Sequence, residues 1–206
     1  NYIVLRENYS MKADKVILVD ADGVLLDWLY SFDNWMARHG YDIADPSLYK
    51  VADRFGLPRR EGKRMARMFN ESAWIRKLPP HGDAIYWVKK LHQEHGYIFH
   101  VISSLSDDEY SQHLRTKNLR ELFGDSTFER YTYLDTGADK NHALAPYIDT
   151  GCWWIEDKPE NANLGDEFGL NSLLMDHEHN RDYDLNPSVR RVFSWKEIYN
   201  LIVGSY

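Results

Sequence analysis

The chain has 206 residues, with 25 Lys and Arg against 32 Asp and Glu, so its formal net charge is −7. Apolar residues make up 43% and aromatic residues 14%, too much core-forming material for a disordered chain. The acidic balance argues against a general nucleic-acid binder, and no apolar run approaches the roughly 18 residues of a membrane-spanning helix.

The first ten residues, NYIVLRENYS, carry no basic flank ahead of a long apolar stretch, so no secretory signal is expected. Met11 is a candidate native start, which would make residues 1–10 an extension, and these are left out of the site. Val16–Val19 is short, apolar and β-branched, and it stops at Asp20-Ala21-Asp22-Gly23. That pattern reads as a buried parallel strand. From about Trp28 to Leu78 no strand-like run occurs. Helical patterns occupy Trp28–His39, Ser47–Phe55 and Pro58–Asn70, and the chain returns to the core near Pro79–Gly82. Asp83–His95 places Ile85, Val88 and Leu91 at helical spacing and ends before Gly96. Tyr97–Ile102 is a strand stopped by Ser103-Ser104, and Asp107–Phe123 is a helix opened by acids and closed before Gly124. Three more strands are expected at Phe128–Leu134, Cys152–Ile155 and Ser172–Met175. Strands alternating with helices predict an α/β fold with a Rossmann-like parallel sheet. Residues 1–27 and 79–206 would form that core, and residues 28–78 a small helical cap inserted after the first strand.

Functional residues of an open parallel sheet sit just past the carboxyl ends of its strands. Those positions hold Asp20 and Asp22, Ser103 and Ser104, Asp135 and Asp139, Glu156 and Asp157, and Asp176. Carboxylates gathered in one crevice repel each other unless a hard cation sits among them, and an all-oxygen set suits Mg²⁺ better than zinc. Lys140, with Lys158 as a second choice, would balance the remaining charge and hold an anion. Asp20 and Asp22 admit a division of labour: one a nucleophile toward phosphorus, the other a general acid and base. A plain acidic strand-to-helix turn is the competing reading. A calcium loop is excluded, because its twelfth position would be Ser31 rather than Glu.

These residues resemble a known family. DADGVLLD at 20–27 is similar to the first motif of the haloacid dehalogenase-like hydrolases, D-x-D-G-[VT]-L-x-D. Ser103 fits their second motif, Lys140 in TGADKN the third, and Glu156-Asp157 the acidic fourth, in the same order. The segment DKNHALAPYIDTGCWWIEDKPENA (139–162), WIRKLPPHGDA (74–84) and the late Ser194-Trp195 resemble the 5'(3')-deoxyribonucleotidases within that superfamily. The resemblance implies an α/β core with a helical cap and a Mg²⁺-dependent phosphatase acting on nucleoside, and more narrowly deoxyribonucleoside, monophosphates. It implies Asp20 as nucleophile and metal ligand, and Asp22 as acid/base with its carbonyl on the metal. Ser103 would hold a phosphate oxygen and Lys140 would neutralise phosphate and Asp20. Asp157 would ligate the metal with Glu156 beside it; the subgroup usually has Asp at Glu156, which leaves open which of the two binds. Trp28 and Trp74 match positions where the subgroup stacks rings on the base, against a reading as cap packing. Ser104 and Leu105 would line the phosphate or base pocket.

The other features are blander. The basic run Arg54–Arg67 reads as a solvated helix face, with a steering patch for anions as the alternative. Asp176-His177-Glu178-His179 reads as a polar loop rather than a metal site. The single Cys152 cannot form an internal disulfide, which fits a reducing, cytoplasmic setting. A small phosphorylated substrate is the expected partner, with no membrane and no stable nucleic-acid partner; a homodimer is left open. The rival functions are phosphatase action on a sugar phosphate or other small phosphomonoester, and a catalytically idle binding protein.

Overall fold

Six strands form one parallel sheet: β1 (Val16–Val19), β2 (Ile98–Ser104), β3 (Phe128–Leu134), β4 (Trp153–Glu156), β5 (Asn171–Met175) and β6 (Arg190–Val192). Their order is β3-β2-β1-β4-β5-β6, and every neighbouring pair is parallel. The computed structural model describes residues 15–204, so the first ten residues and the candidate start at Met11 lie outside the described residues.

The apolar run of β1 is continuous because both faces of the sheet are covered. Ile17 and Val19 point into the larger core with Phe99, Val101 and Trp195. Val16 and Leu18 point the other way, onto Trp154, Leu144 and Leu170. This is the period-two alternation of a strand buried on both sides.

Four helices lie in the chain between β1 and β2: α1 (Trp28–Arg38), α2 (Val51–Phe55), α3 (Arg59–Asn70) and, after a 3₁₀ turn at Ala73–Lys77, α4 (Ala84–His95); α5 (Glu109–Phe123) follows β2. Asp27 caps α1 and Asp108 caps α5, each accepting from a backbone N–H of the first turn. The chain that leaves the core at Asp27 and the chain that returns are bonded together: Asp27 N–H donates to Pro79 O (2.9 Å) and His81 N–H to Leu25 O (2.8 Å). Past β3 come α6 (Asn141–Leu144), α7 (Pro159–Glu167) and α8 (Trp195–Val203).

Two expectations need correction. Of the helix expected at Ser47–Phe55, only Val51–Phe55 is helical. Asp45 accepts from both the N–H and the hydroxyl of Ser47, and Arg54 Nη1 donates to the carbonyls of Pro46 and Leu48, so this stretch is held as a loop. Arg54 is therefore not part of a solvated basic face. It is buried and pairs with Asp33 through two hydrogen bonds of 2.9 and 2.6 Å.

Gly165 on α7 shows how tightly the smaller core is packed. A Cβ there would stand 2.3 Å from Cδ1 of Trp154, whose indole N–H is already given to Asn161 O. Gly165→Ala should therefore destabilise the protein by about 1–3 kcal/mol, against the usual helical preference for Ala. Chemical denaturation measures it.

Candidate active site

The strand order reverses at β1, which lies between β2 and β4. In a sheet of this order the crevice outside that switch point is where ligands bind. Asp20 and Asp22 follow β1 into it. Asp20 N–H continues the ladder to Ile155 O (3.0 Å), and Asp20 Oδ1 accepts from the N–H of Ala21 (2.8 Å). Glu156 closes β4 and Asp157 follows it, so both acid pairs meet at the seam between β1 and β4.

Lys140, on the turn into α6, reaches this seam from below. Its Nζ donates to Glu156 Oε2 (2.7 Å) and lies 3.0 Å from Asp20 Oδ1. Glu156 is wholly buried, and its other oxygen accepts from the backbone N–H groups of Asp157 (2.9 Å) and Lys158 (3.1 Å). Both oxygens of Glu156 are thus committed to the protein. Asp157 Oδ2, by contrast, is buried with no hydrogen-bond partner. A Cβ on Gly23 would come within 2.4 Å of that oxygen, and Gly23 has a φ of +75°, so the backbone passes close over the carboxylate where only glycine fits.

Oxygens of Asp20, Glu156 and Asp157 lie within 4.8 Å of one another, the sole such acidic or His/Cys group among the described residues. Burial raises the Asp20 carboxyl above its ordinary range, and Glu156 adds to the rise. Asp157 is pushed up the same way, by burial first and then by Glu156 and Asp20. Burial pushes Glu156 upward too, but the Lys140 charge, helped by side-chain hydrogen bonding from Asp157 and Asp20, outweighs it and holds Glu156 below its usual value. Asp22 is raised by burial, with Arg115 opposing. Four carboxylates here face two buried cations, Lys140 and Arg115, leaving two negative charges uncompensated when all are ionised. An orphaned buried carboxylate oxygen, an all-oxygen donor set and that excess charge fit a hard divalent cation, with Asp20 and Asp157 as the free donors.

The crevice opens into a cavity of 870 Å³ lined by Asp20, Asp22, Trp28, Tyr49, Ser104, Lys140, Asp157 and His179, among others. No family model matches the chain. In sequence it is 21% identical over 192 residues to an uncharacterized 32.4 kDa protein from the Gp30-rIII intergenic region of Enterobacteria phage T4, covering 89% of this chain and 68% of that one. Among solved structures it is similar to SP0104 of Streptococcus pneumoniae, a haloacid dehalogenase-like family hydrolase (TM-score 0.64, 16% identity, 92% of this chain and 98% of that one). It is also similar to the D,D-heptose 1,7-bisphosphate phosphatase of B. bronchiseptica complexed with magnesium and phosphate (TM-score 0.58, 11% identity, 93% and 99%). The fold is that of the haloacid dehalogenase-like hydrolases.

On this haloacid dehalogenase-like fold, eight of the candidate residues named from sequence share the crevice: Asp20, Asp22, Trp28, Ser104, Asp139, Lys140, Asp157 and Lys158. Glu156 lies directly beneath them. Ser103 is fully buried off the cavity, its hydroxyl accepting from Arg115 Nη1 (3.2 Å). Leu105 is fully buried as well; its carbonyl accepts from Asn70 Nδ2 (2.9 Å) and Thr136 Oγ1 (2.7 Å). Trp28 is 7% exposed, stacked on Phe32 at 4.6 Å between centroids, with its N–H given to Asn70 Oδ1 (2.8 Å), so only an edge meets the cavity. Trp74 stands outside the cavity, its ring 5.3 Å from the Arg38 guanidinium. The two tryptophans therefore do not form opposite sides of one slot. The ring facing Trp28 is Tyr49, 6.4 Å away, which packs on His179 at 4.3 Å.

The Asp176–His179 segment is a clasp. Asp176 pairs with Arg181 (2.8 Å) and Arg191 (2.9 Å), and His177 Nε2 bonds to Gly23 O (2.7 Å). Arg115 is the residue that sequence reading missed. Its signal was present: Ser111, Leu114, Asn118 and Leu119 form the buried stripe of α5, and Arg115 falls on it.

Proposed function

We propose that this protein is a Mg²⁺-dependent phosphatase that hydrolyses the phosphomonoester of nucleoside monophosphates through an aspartyl-phosphate. The observation that carries the reading is a pair of carboxylates with different partners in one crevice. Asp20 is held by Lys140, Asp22 by Arg115, and the orphaned Asp157 oxygen lies beside them.

In this reading Asp20 attacks phosphorus while Asp22 gives its proton to the departing ester oxygen; Asp22 then takes a proton from the water that hydrolyses the aspartyl-phosphate. Lys140 keeps Asp20 oriented and offsets the charge of the phosphoryl group. Mg²⁺ held by Asp20, Asp157 and the Asp22 carbonyl would supply further neutralisation of phosphate charge. Ser104, on the cavity wall with its hydroxyl now given to Ala138 O (2.9 Å), is better placed than Ser103 to reach a phosphate oxygen. Residues 28–78 act as the cap and residues 1–27 and 79–206 as the core. The setting is the reducing cytoplasm, where the buried Cys152 stays a thiol.

The cavity is far larger than a phosphate, and the Tyr49 ring on its wall suits a nucleobase. A sugar phosphate is the second reading, favoured by the likeness to the heptose bisphosphate phosphatase. Initial rates with deoxy-UMP, AMP and a sugar phosphate, side by side, separate them. Tyr49→Ala gives a sharper test. Removing a stacking ring should lower kcat/KM for a nucleotide by roughly 5- to 150-fold and leave a base-free phosphoester much less affected. Equal losses on both would remove the base-binding assignment. Trp28→Ala, which empties a packed site, should instead lower Tm and act on both substrates.

A further inference from the structure

Arg115 is the least expected residue near the crevice. It sits in the middle of α5, is 0% exposed, and has no exposed face to justify a charge. Taking a guanidinium out of water is costly, and an apolar residue of similar volume would stabilise such a position at least as well. Its contacts are few and pointed. Nη2 lies 2.8 Å from Asp22 Oδ1, an ion pair set off the straight hydrogen-bond line, and Nη1 donates to Ser103 Oγ. Nε has no hydrogen-bond partner. One rigid fork thus spans the ends of β1 and β2 and seals one oxygen of Asp22 from solvent, while the Asp22 side chain still borders the cavity.

We infer that Arg115 is a positioning residue that aims Asp22 at the leaving-group oxygen; this rests on the phosphatase reading above. With Oδ1 pinned, Oδ2 is the oxygen turned to the substrate. In the first step the Asp20 carboxylate forms a bond to phosphorus as the ester P–O bond breaks. The electron pair of that bond stays with the leaving oxygen, which takes the proton from Asp22. In the second step water oxygen bonds to phosphorus, the Asp20–phosphorus bond breaks, and the water proton returns to Asp22. The balance is phosphomonoester plus water to alcohol plus phosphate. Arg115 makes and breaks no bond. It selects which oxygen of Asp22 does so.

The test exploits leaving groups. An alkyl ester such as a nucleoside monophosphate departs as an alkoxide and needs the proton; p-nitrophenyl phosphate departs as a stable phenolate and does not. General acids contribute about 10²- to 10⁴-fold. Arg115→Met should lower kcat/KM on the alkyl ester by about 100-fold or more, and the alkyl-to-aryl ratio by at least about tenfold. Arg115→Lys, which keeps the charge, should recover part of the ratio and carries the test alone if the Met variant fails to fold. In an Asp22→Asn background, Arg115→Lys should cost the alkyl ester nothing further. Equal losses on both esters, or additive losses in the Asp22→Asn background, overturn the role of Arg115. A wild-type enzyme that hydrolyses neither ester with Mg²⁺ present overturns the phosphatase reading instead.

Discussion

Asp20→Asn should abolish turnover, by about 10³-fold or more, with the fold intact, because a carboxamide is a poor nucleophile toward phosphorus. The substitution is nearly isosteric, and Asn Oδ1 can still accept the N–H of Ala21 that Asp20 Oδ1 accepts now. Lys140 loses one carboxylate but keeps the 2.7 Å bond to Glu156. The variant also removes the burial cost and the repulsion from Glu156 that lift the Asp20 carboxyl, so Tm in the absence of metal should stay level or rise. Rates in rapid-quench assays, together with a melting curve, check both halves. More than a small residual activity would rule out a phosphoaspartate pathway.

Removal of metal should have a comparable effect, and the two acids at the end of β4 should respond differently. Excess chelator should take activity to background, and Mg²⁺ should restore it. Calcium should inhibit, since its longer and looser oxygen shell displaces Asp20 relative to the phosphate. Asp157 carries the orphaned oxygen, so Asp157→Asn should raise the Mg²⁺ needed for half activity by about tenfold or more, while leaving metal-free stability level or higher. Glu156 is already bonded through both oxygens to Lys140 and two backbone N–H groups. Glu156→Gln should therefore act mainly on stability, at about 3–5 kcal/mol, because it strips a buried lysine of one partner. The opposite ranking in a Mg²⁺ titration would make Glu156 the direct ligand.

The sheet was legible because its signal is local. Val16–Val19 is apolar for its whole length, Phe128–Leu134 is rich in aromatic and β-branched residues despite Glu129 and Arg130, both stop at polar residues, and each became a strand where expected. β6, three residues with two arginines, carries no such run, and it forms only because β5 offers it a parallel partner. The acidic seam was legible for a related reason. Strand ends are marked in sequence, and a parallel sheet places them at one edge, so Asp20, Asp22, Glu156 and Asp157 could be gathered before any coordinates. What escaped were the partners supplied by elements far along the chain. Nothing near Trp28 announces that Asn70 will take its N–H, and nothing near Trp74 announces that its ring will fall outside the cavity. Tyr49 was hidden in a stretch read as helix, and it became a cavity ring because Arg54 holds Pro46 and Leu48 in a loop.

The turn that follows β1 is also fastened from a great distance. His177 Nε2 meets the carbonyl of Gly23, and the indole N–H of Trp195 donates to the carbonyl of Val24 (2.8 Å). Those two residues are translated long after the acids they secure. During synthesis the ribosome exposes Asp20 and Asp22 first, on a strand whose neighbour β4 and whose two ring anchors do not yet exist. A growing chain would therefore leave the turn that carries these carboxylates without two of its anchors until α8 docks. Asp20 is thus among the first residues of the crevice to be made, while two of the bonds that fix its turn wait for His177 and Trp195.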